Sequence, residues 1–240
     1  MAISRGEIKW VRALHSKKGR KEFNCFIAEG KKCVSEALQS RLIVRKIYSC
    51  DPDALDCNEA QPISAAEMEQ LSALTTPSLH LAVIETPEPL SSASFSGKVI
   101  VLDQIADPGN AGTIIRTADW FGISGVIMME NSVEWTSPKV VQASMGSVFR
   151  MKITQLSEVQ LSKFLITQKK LVLGAALQGQ QIDCIQWSEV ETLIIGSESH
   201  GISDALKSMC SGLVTIPGKG GAESLNAAVA SGILMSLWTT

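Results

Sequence analysis

The sequence predicts an α/β protein in two parts, a small α/β domain over residues 1–86 and a parallel-sheet domain over 98–240. Three observations carry this. From residue 98 onward short apolar runs alternate with helical patterns, which is how a parallel sheet covered on both faces reads. Between the parts, Glu85-Thr-Pro-Glu-Pro-Leu-Ser-Ser-Ala-Ser-Phe-Ser-Gly97 has no periodicity and is rich in Pro, Ser and Gly, so residues 87–97 read as a linker. Charge divides along the chain as well. Residues 1–50 hold twelve Lys and Arg against four acids, a net of +8, and the other 190 hold ten against twenty, a net of −10.

In the first domain Ile8, Val11 and Leu14 stand at helical spacing, and a basic loop follows at 16–21. Phe23–Ala28 reads as a strand. Glu29-Gly30 leads into a helix carrying Val34, Ala37 and Leu38, and Ile43–Ser49 is the second strand. After a polar loop over 51–61, Ser64-Ala-Ala-Glu67 is a capping-box pattern ahead of Met68, Leu71 and Leu74. Leu79–Ile84 closes the unit as a strand.

In the second domain Val99–Leu102, Val126–Met129, Leu171–Ala175, Leu193–Ile195 and Leu213–Ile216 are short apolar runs of the buried-strand type. Helical segments lie at 111–121, 138–145, 157–168 and 203–209, with Pro138 suited to a first helical turn. The last helix, 223–238, carries Leu225, Val229, Ile233 and Leu237 on one stripe.

Composition narrows the class. No apolar run approaches the roughly 20 residues of a membrane-spanning helix, so no membrane partner is expected. The start, Met-Ala-Ile-Ser-Arg-Gly-Glu7, lacks a signal-peptide apolar region, and a cytoplasmic protein is expected. Six cysteines without Cys-x-x-Cys spacing read as reduced thiols rather than zinc ligands or disulfides. The basic segment 1–50, with Lys17, Lys18, Arg20, Lys21 and Lys31 as candidate contacts, points to a polyanionic partner, RNA or DNA; a solvated helix face is the plainer alternative.

Three loops carry the chemistry. In the first, Asp107-Pro-Gly109 is a turn, and Asn110 stands near the start of a helix, where an amide can cap. Arg116 lies on that helix among small or apolar residues, so it needs an anionic partner or a route to solvent. The second loop, Gly196-Ser-Glu-Ser-His-Gly201, is no nucleophile elbow, since Glu198 occupies the serine position, which removes a serine hydrolase. It is no metal site either, with only Glu198 and His200 to offer. What remains is a ligand loop of glycine backbone and one carboxylate, with His200 as a surface histidine. The third, Pro217-Gly-Lys-Gly-Gly-Ala-Glu-Ser224, lacks the spacing of either common glycine-rich phosphate loop. Glu223, Ser224 and Asn226 either serve a ligand or cap the last helix.

Together the loops resemble the three motifs of the SpoU/TrmH family of RNA ribose 2′-O-methyltransferases, in the SPOUT superfamily. The first motif is matched by Asp107-Pro-Gly-Asn-Ala-Gly…Arg116-Thr-Ala-Asp…Phe-Gly122. Ile195-Gly-Ser-Glu-Ser-His-Gly-Ile-Ser203 matches the second, and Ile216-Pro-Gly…Glu223-Ser-Leu-Asn226 the third. Gly218 stands where many members carry methionine. The first domain, through Arg20…Phe26-Ile-Ala-Glu-Gly30…Glu36-Ala-Leu38, is similar to the family's ribosomal-protein-like substrate-binding domain.

The resemblance implies a SPOUT parallel sheet with a C-terminal trefoil knot, which no periodicity reveals. It implies S-adenosylmethionine as cofactor, held by the backbone of Gly196, Ile216 and Leu225 with the loops at Gly201 and Gly218, and no metal. It implies methyl transfer to a ribose 2′-oxygen, with Arg116, Asn110, Glu198, Ser224 and Asn226 as catalytic residues. Arg116 acts either as a base or, more consistently with a guanidinium that is a poor proton acceptor, as an anchor for the RNA phosphate. Ribosomal RNA is favoured over transfer RNA, and a homodimer through the knot domain is expected. The competing reading is a non-catalytic RNA-binding or ribosome-assembly factor that kept the fold.

Overall fold

A computed structural model describes residues 3–91 and 94–240; Met1 and Ala2, and Ser92 and Ala93 of the expected linker, lie outside the described residues. The chain divides into two units, Met1–Glu88 with Thr136–Arg150, and Pro89–Trp135 with Met151–Thr240.

The first unit opens with α1 (Arg5–Ala13), where Ser4 and Glu7 cap each other's backbone N–H reciprocally. The basic stretch expected as a loop is helical: α2 (Lys17–Phe23) is capped by Ser16 Oγ, which accepts the Gly19 N–H at 3.1 Å. Gly19 permits this turn, because a Cβ there would stand 2.0 Å from the Ala13 carbonyl oxygen. Asn24, at φ 48°, ends the helix in the left-handed region. Then follow β1 (Cys25–Glu29), α3 (Lys31–Gln39), β2 (Val44–Ser49), a two-residue β3 (Gln61–Pro62), α4 (Ala65–Leu71) and β4 (His80–Glu85). The Ser64–Glu67 capping box forms as expected. Strand order is β1-β4-β2-β3, with β4 antiparallel to both β1 and β2. One sheet face packs Cys25, Ile27, Tyr48, Leu81 and Val83 against Val11 and Leu14 of the α1 side and Met68 and Leu71 of α4.

The second unit runs β5 (Val99–Leu102), α5 (Pro108–Trp120) and β6 (Gly125–Met129). Its next helix, α6 (Pro138–Ser144), belongs by contact to the first unit instead. There the Phe149 ring stacks on Phe26 at 6.3 Å between centroids, and Arg150 pairs with Glu36. Helical periodicity reports an apolar face but not which sheet it covers, so the sequence placed this helix in the alternation of residues 98–240.

The chain returns with β7 (Ile153–Leu156), α7 (Glu158–Ile166), β8 (Leu171–Gln181), β9 (Val190–Ile195), α8 (Asp204–Met209), β10 (Gly212–Thr215) and α9 (Ala227–Thr239). Strand β7, unanticipated, is a four-residue edge strand whose Thr154 and Gln155 break the apolar run. Six strands pair in the order β10-β8-β9-β5-β6-β7, all parallel. Val99, Val101, Ile127, Met129 and Ile194 pack under α7 and α8 through Leu161, Phe164 and Leu206. Helices α5 and α9 pack together, and α9 contacts β9.

Helix α9 begins after Asn226, not at 223, and turns Ala227, Ala228, Ser231, Leu234, Met235 and Trp238 inward. The expected stripe is displaced to the other side: Leu225 precedes the helix at 44% exposure, and Val229 is 51% exposed. The helix is apolar around most of its circumference, so spacing alone does not select its buried face.

Candidate active site

The chain moves outward from β5 through β6 to β7, crosses to β8, and returns through β9 beside β5. A reversal of strand order leaves a crevice at the C-terminal strand ends, where α/β sheets take ligands. The loops after β5, β9 and β10 all start there.

In the first loop Asp107, not Asn110, caps α5: its Oδ1 accepts the Asn110 N–H at 2.8 Å, and Pro108 takes the first helical position. That frees the Asn110 amide. Its Nδ2 donates to Glu198 Oε1, and its Oδ1 accepts from Asn226 Nδ2 at 2.9 Å. Asn226 caps α9, its own Oδ1 accepting the N–H groups of Ala228 at 2.9 Å and Val229 at 3.3 Å. Glu198 Oε1 also accepts the Ala227 N–H at 3.2 Å, placing a carboxylate at the positive end of α9. Three side chains from three loops thus close one network.

The second loop doubles back on itself. Ser197 and Gly201 exchange backbone hydrogen bonds of 3.1 and 2.8 Å, and Gly201 turns at φ 66°. A Cβ on Gly196 would stand 2.0 Å from the Gly201 carbonyl carbon, so only glycine lets the strands of this loop close. His200 is exposed, its Nδ1 2.9 Å from Ser199 Oγ, as a surface histidine.

Arg116 is exposed on α5, and Ser224 is exposed in the third loop; neither joins the network. Ile216 is half-buried at the end of β10, and Pro217–Asn226 is exposed coil throughout. Nothing lies within 4 Å of a Cβ built on Gly218. For S-adenosylmethionine, an amino acid joined to a nucleoside, the fitting surface is main-chain donors and acceptors with space beside them. The tight Gly196–Gly201 turn and the open Ile216–Leu225 backbone supply that.

Asp103 and Asn131, to which the sequence reading assigns no role, belong to the same edge. Asp103 is fully buried, and its carboxylate accepts from Ser203 N–H and Asn131 Nδ2. The available signal was a carboxylate immediately after the apolar run Val99–Leu102.

In the first unit Lys17, Lys18, Lys21 and Lys31 are exposed. Arg20 is not: it is 7% exposed, and its Nη1 donates to the carbonyls of Leu14 at 3.2 Å and His15 at 3.1 Å. It closes the C-terminal end of α1 and is corrected from an RNA contact to a capping residue. Glu29 is likewise buried, accepting the Ala73 N–H at 2.7 Å and the Ser72 hydroxyl.

The SpoU rRNA Methylase family matches residues 97–236, and the MRM3-like substrate binding domain matches 6–90. The chain is 33% identical over 235 residues to the 23S rRNA (guanosine(2553)-2′-O)-methyltransferase RlmP of Bacillus subtilis, spanning 95% of this chain and 94% of that one. A structure from Porphyromonas gingivalis assigned to the TrmH family of RNA methyltransferases superposes with a TM-score of 0.87 at 36% identity, over 98% of both chains. An AdoMet-bound rRNA methyltransferase from Sinorhizobium meliloti superposes with a TM-score of 0.90 at 26% identity, over 99% of this chain and 97% of that one. The sheet order, the three loops that meet at its edge and the match across both units agree, and the chain belongs to the SpoU rRNA methylase family.

Proposed function

We propose that this protein is an S-adenosylmethionine-dependent methyltransferase acting on a ribose 2′-hydroxyl in ribosomal RNA. The observation that carries the reading is the Asn110–Glu198–Asn226 network, which joins the loops after β5, β9 and β10 beside the helix that bears Arg116. Ribosomal RNA is favoured over transfer RNA by the name of the Bacillus subtilis relative and by the presence of a separate first unit.

S-adenosylmethionine supplies a methyl group on a sulfonium. Gly196, Gly201, Ile216, Gly218 and Leu225 offer it backbone contacts. In the transfer the ribose oxygen would bond to the methyl as the methyl–sulfonium bond breaks to leave a neutral thioether, and the hydroxyl proton would pass to solvent water; an unassisted hydroxyl is a poor nucleophile. Arg116 grips the adjoining phosphate and stabilises the developing oxyanion; a guanidinium, a hydrogen-bond donor with no acceptor site, serves that role better than proton removal. Asn110 gives its amide to Glu198 and Asn226, and Asn226 also caps α9, which ties the three loops together at the site where Ser224 and Arg116 would meet the ribose.

The same reading includes a trefoil knot between β9 and α9, supported by the return of α9 from the β10 edge to α5. It includes a homodimer through this unit, supported by exposed Trp120, Leu225 and Val229 on the paired helices and the residue preceding α9. A cytoplasmic location is supported by free thiols at all six cysteines. The direct test is to incubate purified protein with methyl-labelled S-adenosylmethionine and protein-free ribosomal RNA, then digest to nucleosides. A labelled 2′-O-methylnucleoside is expected; label in a base, or none from ribosomal or transfer RNA, sinks the reading.

A further inference from the structure

Asp103 follows β5 directly and has no exposed surface. Its N–H continues the strand ladder to the Ile195 carbonyl at 2.8 Å. Its Oδ2 accepts the Ser203 N–H at 2.7 Å, and its Oδ1 accepts from Asn131 Nδ2 at 3.2 Å. Asn131 Oδ1 in turn accepts the Gln104 N–H at 3.3 Å, holding a residue at φ 56°, in the left-handed region. These partners are peptide and amide groups rather than a lysine or arginine. A carboxylate removed from water in this way is costly, and a leucine would fill the space more favourably. A leucine would hold neither loop.

The position explains what the carboxylate does. Gln104 opens the loop that runs to Asn110, and Ser203 closes the loop that begins at Gly196. The two loops meet again at their far ends, where Asn110 donates to Glu198. They are therefore joined twice, at the root by Asp103 and at the tip by the amide–carboxylate pair. We propose that Asp103 is a positioning residue for methyl transfer, setting the spacing of the loops after β5 and β9 so that the cofactor turn keeps its shape and Glu198 reaches Asn110. This rests on the methyltransferase reading above.

Asp103→Asn keeps size and shape but sets an NH₂ against the NH₂ of Asn131. The exchange Asp103→Asn with Asn131→Asp restores every donor–acceptor pair with the roles reversed, including acceptance of the Gln104 N–H. Binding of S-adenosylmethionine is measured by calorimetry on the full chain, with turnover on ribosomal RNA and thermal melting alongside. Asp103→Asn is expected to raise the Kd for S-adenosylmethionine about tenfold, the effect of losing one charge-assisted hydrogen bond, and to lower kcat with the KM for RNA unchanged. The exchange variant is expected to recover most of both. Wild-type binding and turnover in Asp103→Asn, or a fall in melting temperature alone, overturns the proposal. So does an exchange variant no better than the single one, and that comparison stands even where the single variant folds poorly. A wild-type protein that binds no S-adenosylmethionine fails at the functional reading itself, a different result from a wild type that binds and a variant that binds equally.

Discussion

Arg116 stands exposed on α5, six residues beyond Asn110 in the first turn of the helix that Asp107 caps. Its side chain is positioned to meet an anion arriving from outside. If it stabilises charge that develops only in the transition state, Arg116→Ala should lower single-turnover methyl transfer by about 10²–10³-fold. The Kd for S-adenosylmethionine should stay near wild type, and Arg116→Lys should recover only part, since a point charge lacks the fork that grips phosphate. Turnover close to wild type in Arg116→Ala would remove this residue from the mechanism. A second residue reports through pH. His80 is buried at 3% exposure against Ser49 Oγ, and burial holds its pKa below the ordinary histidine value, Asp51 pulling it up and Lys31 pushing it down. The unfolded chain then takes up this proton first as pH falls. The histidine's contribution to stability is complete above about pH 6.5 and declines below it. The melting temperature of His80→Asn should therefore fall less than that of wild type between about pH 6.5 and 5. Residue types at the site were legible in the sequence, because loops of glycine with Asn, Arg and Glu stood out against apolar strands. Partnerships were not: Arg20 looks like its basic neighbours until its donors are seen on Leu14 and His15.

At the scale of elements, the sequence carried strands and helices wherever a one-sided apolar pattern ran long enough. It failed where the pattern was short or ambiguous. Strand β7 is four residues with two polar ones, and α2 is a helix only because Gly19 admits the Ala13 carbonyl. Helix α9 is apolar on both sides, so its inward face was unreadable. The Gly196–Gly201 turn is the element proposed to hold the cofactor, and its tolerance is narrow. In Gly196→Ala the new methyl would meet backbone atoms of Gly201 at 2.0 and 2.2 Å, and backbone has no rotamer to move. Overpacking of this kind costs about 1–3 kcal/mol where the structure can shift. Here the shift opens the turn, so loss of S-adenosylmethionine affinity by tenfold or more is expected in calorimetry, with residual melting cooperativity. Unchanged affinity would show that the turn is not part of the cofactor site.

The whole molecule consists of two units, the first carrying the basic segment 1–50, yet the division is not a single cut. Thr136–Arg150 packs with the first unit, burying Val140, Val141 and Phe149 there, so removing the N-terminal residues alone would expose that surface. Point substitutions in the full chain test the arrangement better. For the second unit, Val229→Arg places a charge in the outward stripe of α9 and is expected to yield monomers by sedimentation if that face pairs two copies. For the basic segment 1–50, the telling comparison is between neighbours on α2. Lys17, Lys18 and Lys21 are exposed, whereas Arg20 is buried on two carbonyls. If the lysines neutralise RNA phosphates, each one replaced by Ala should reduce the slope of log affinity against log salt by roughly 0.7–0.9. Arg20→Ala should instead lower the melting temperature and leave the slope where it was, because a guanidinium committed to the end of α1 releases no counterions when RNA binds. A slope indifferent to the lysines would move the RNA to another face of the protein.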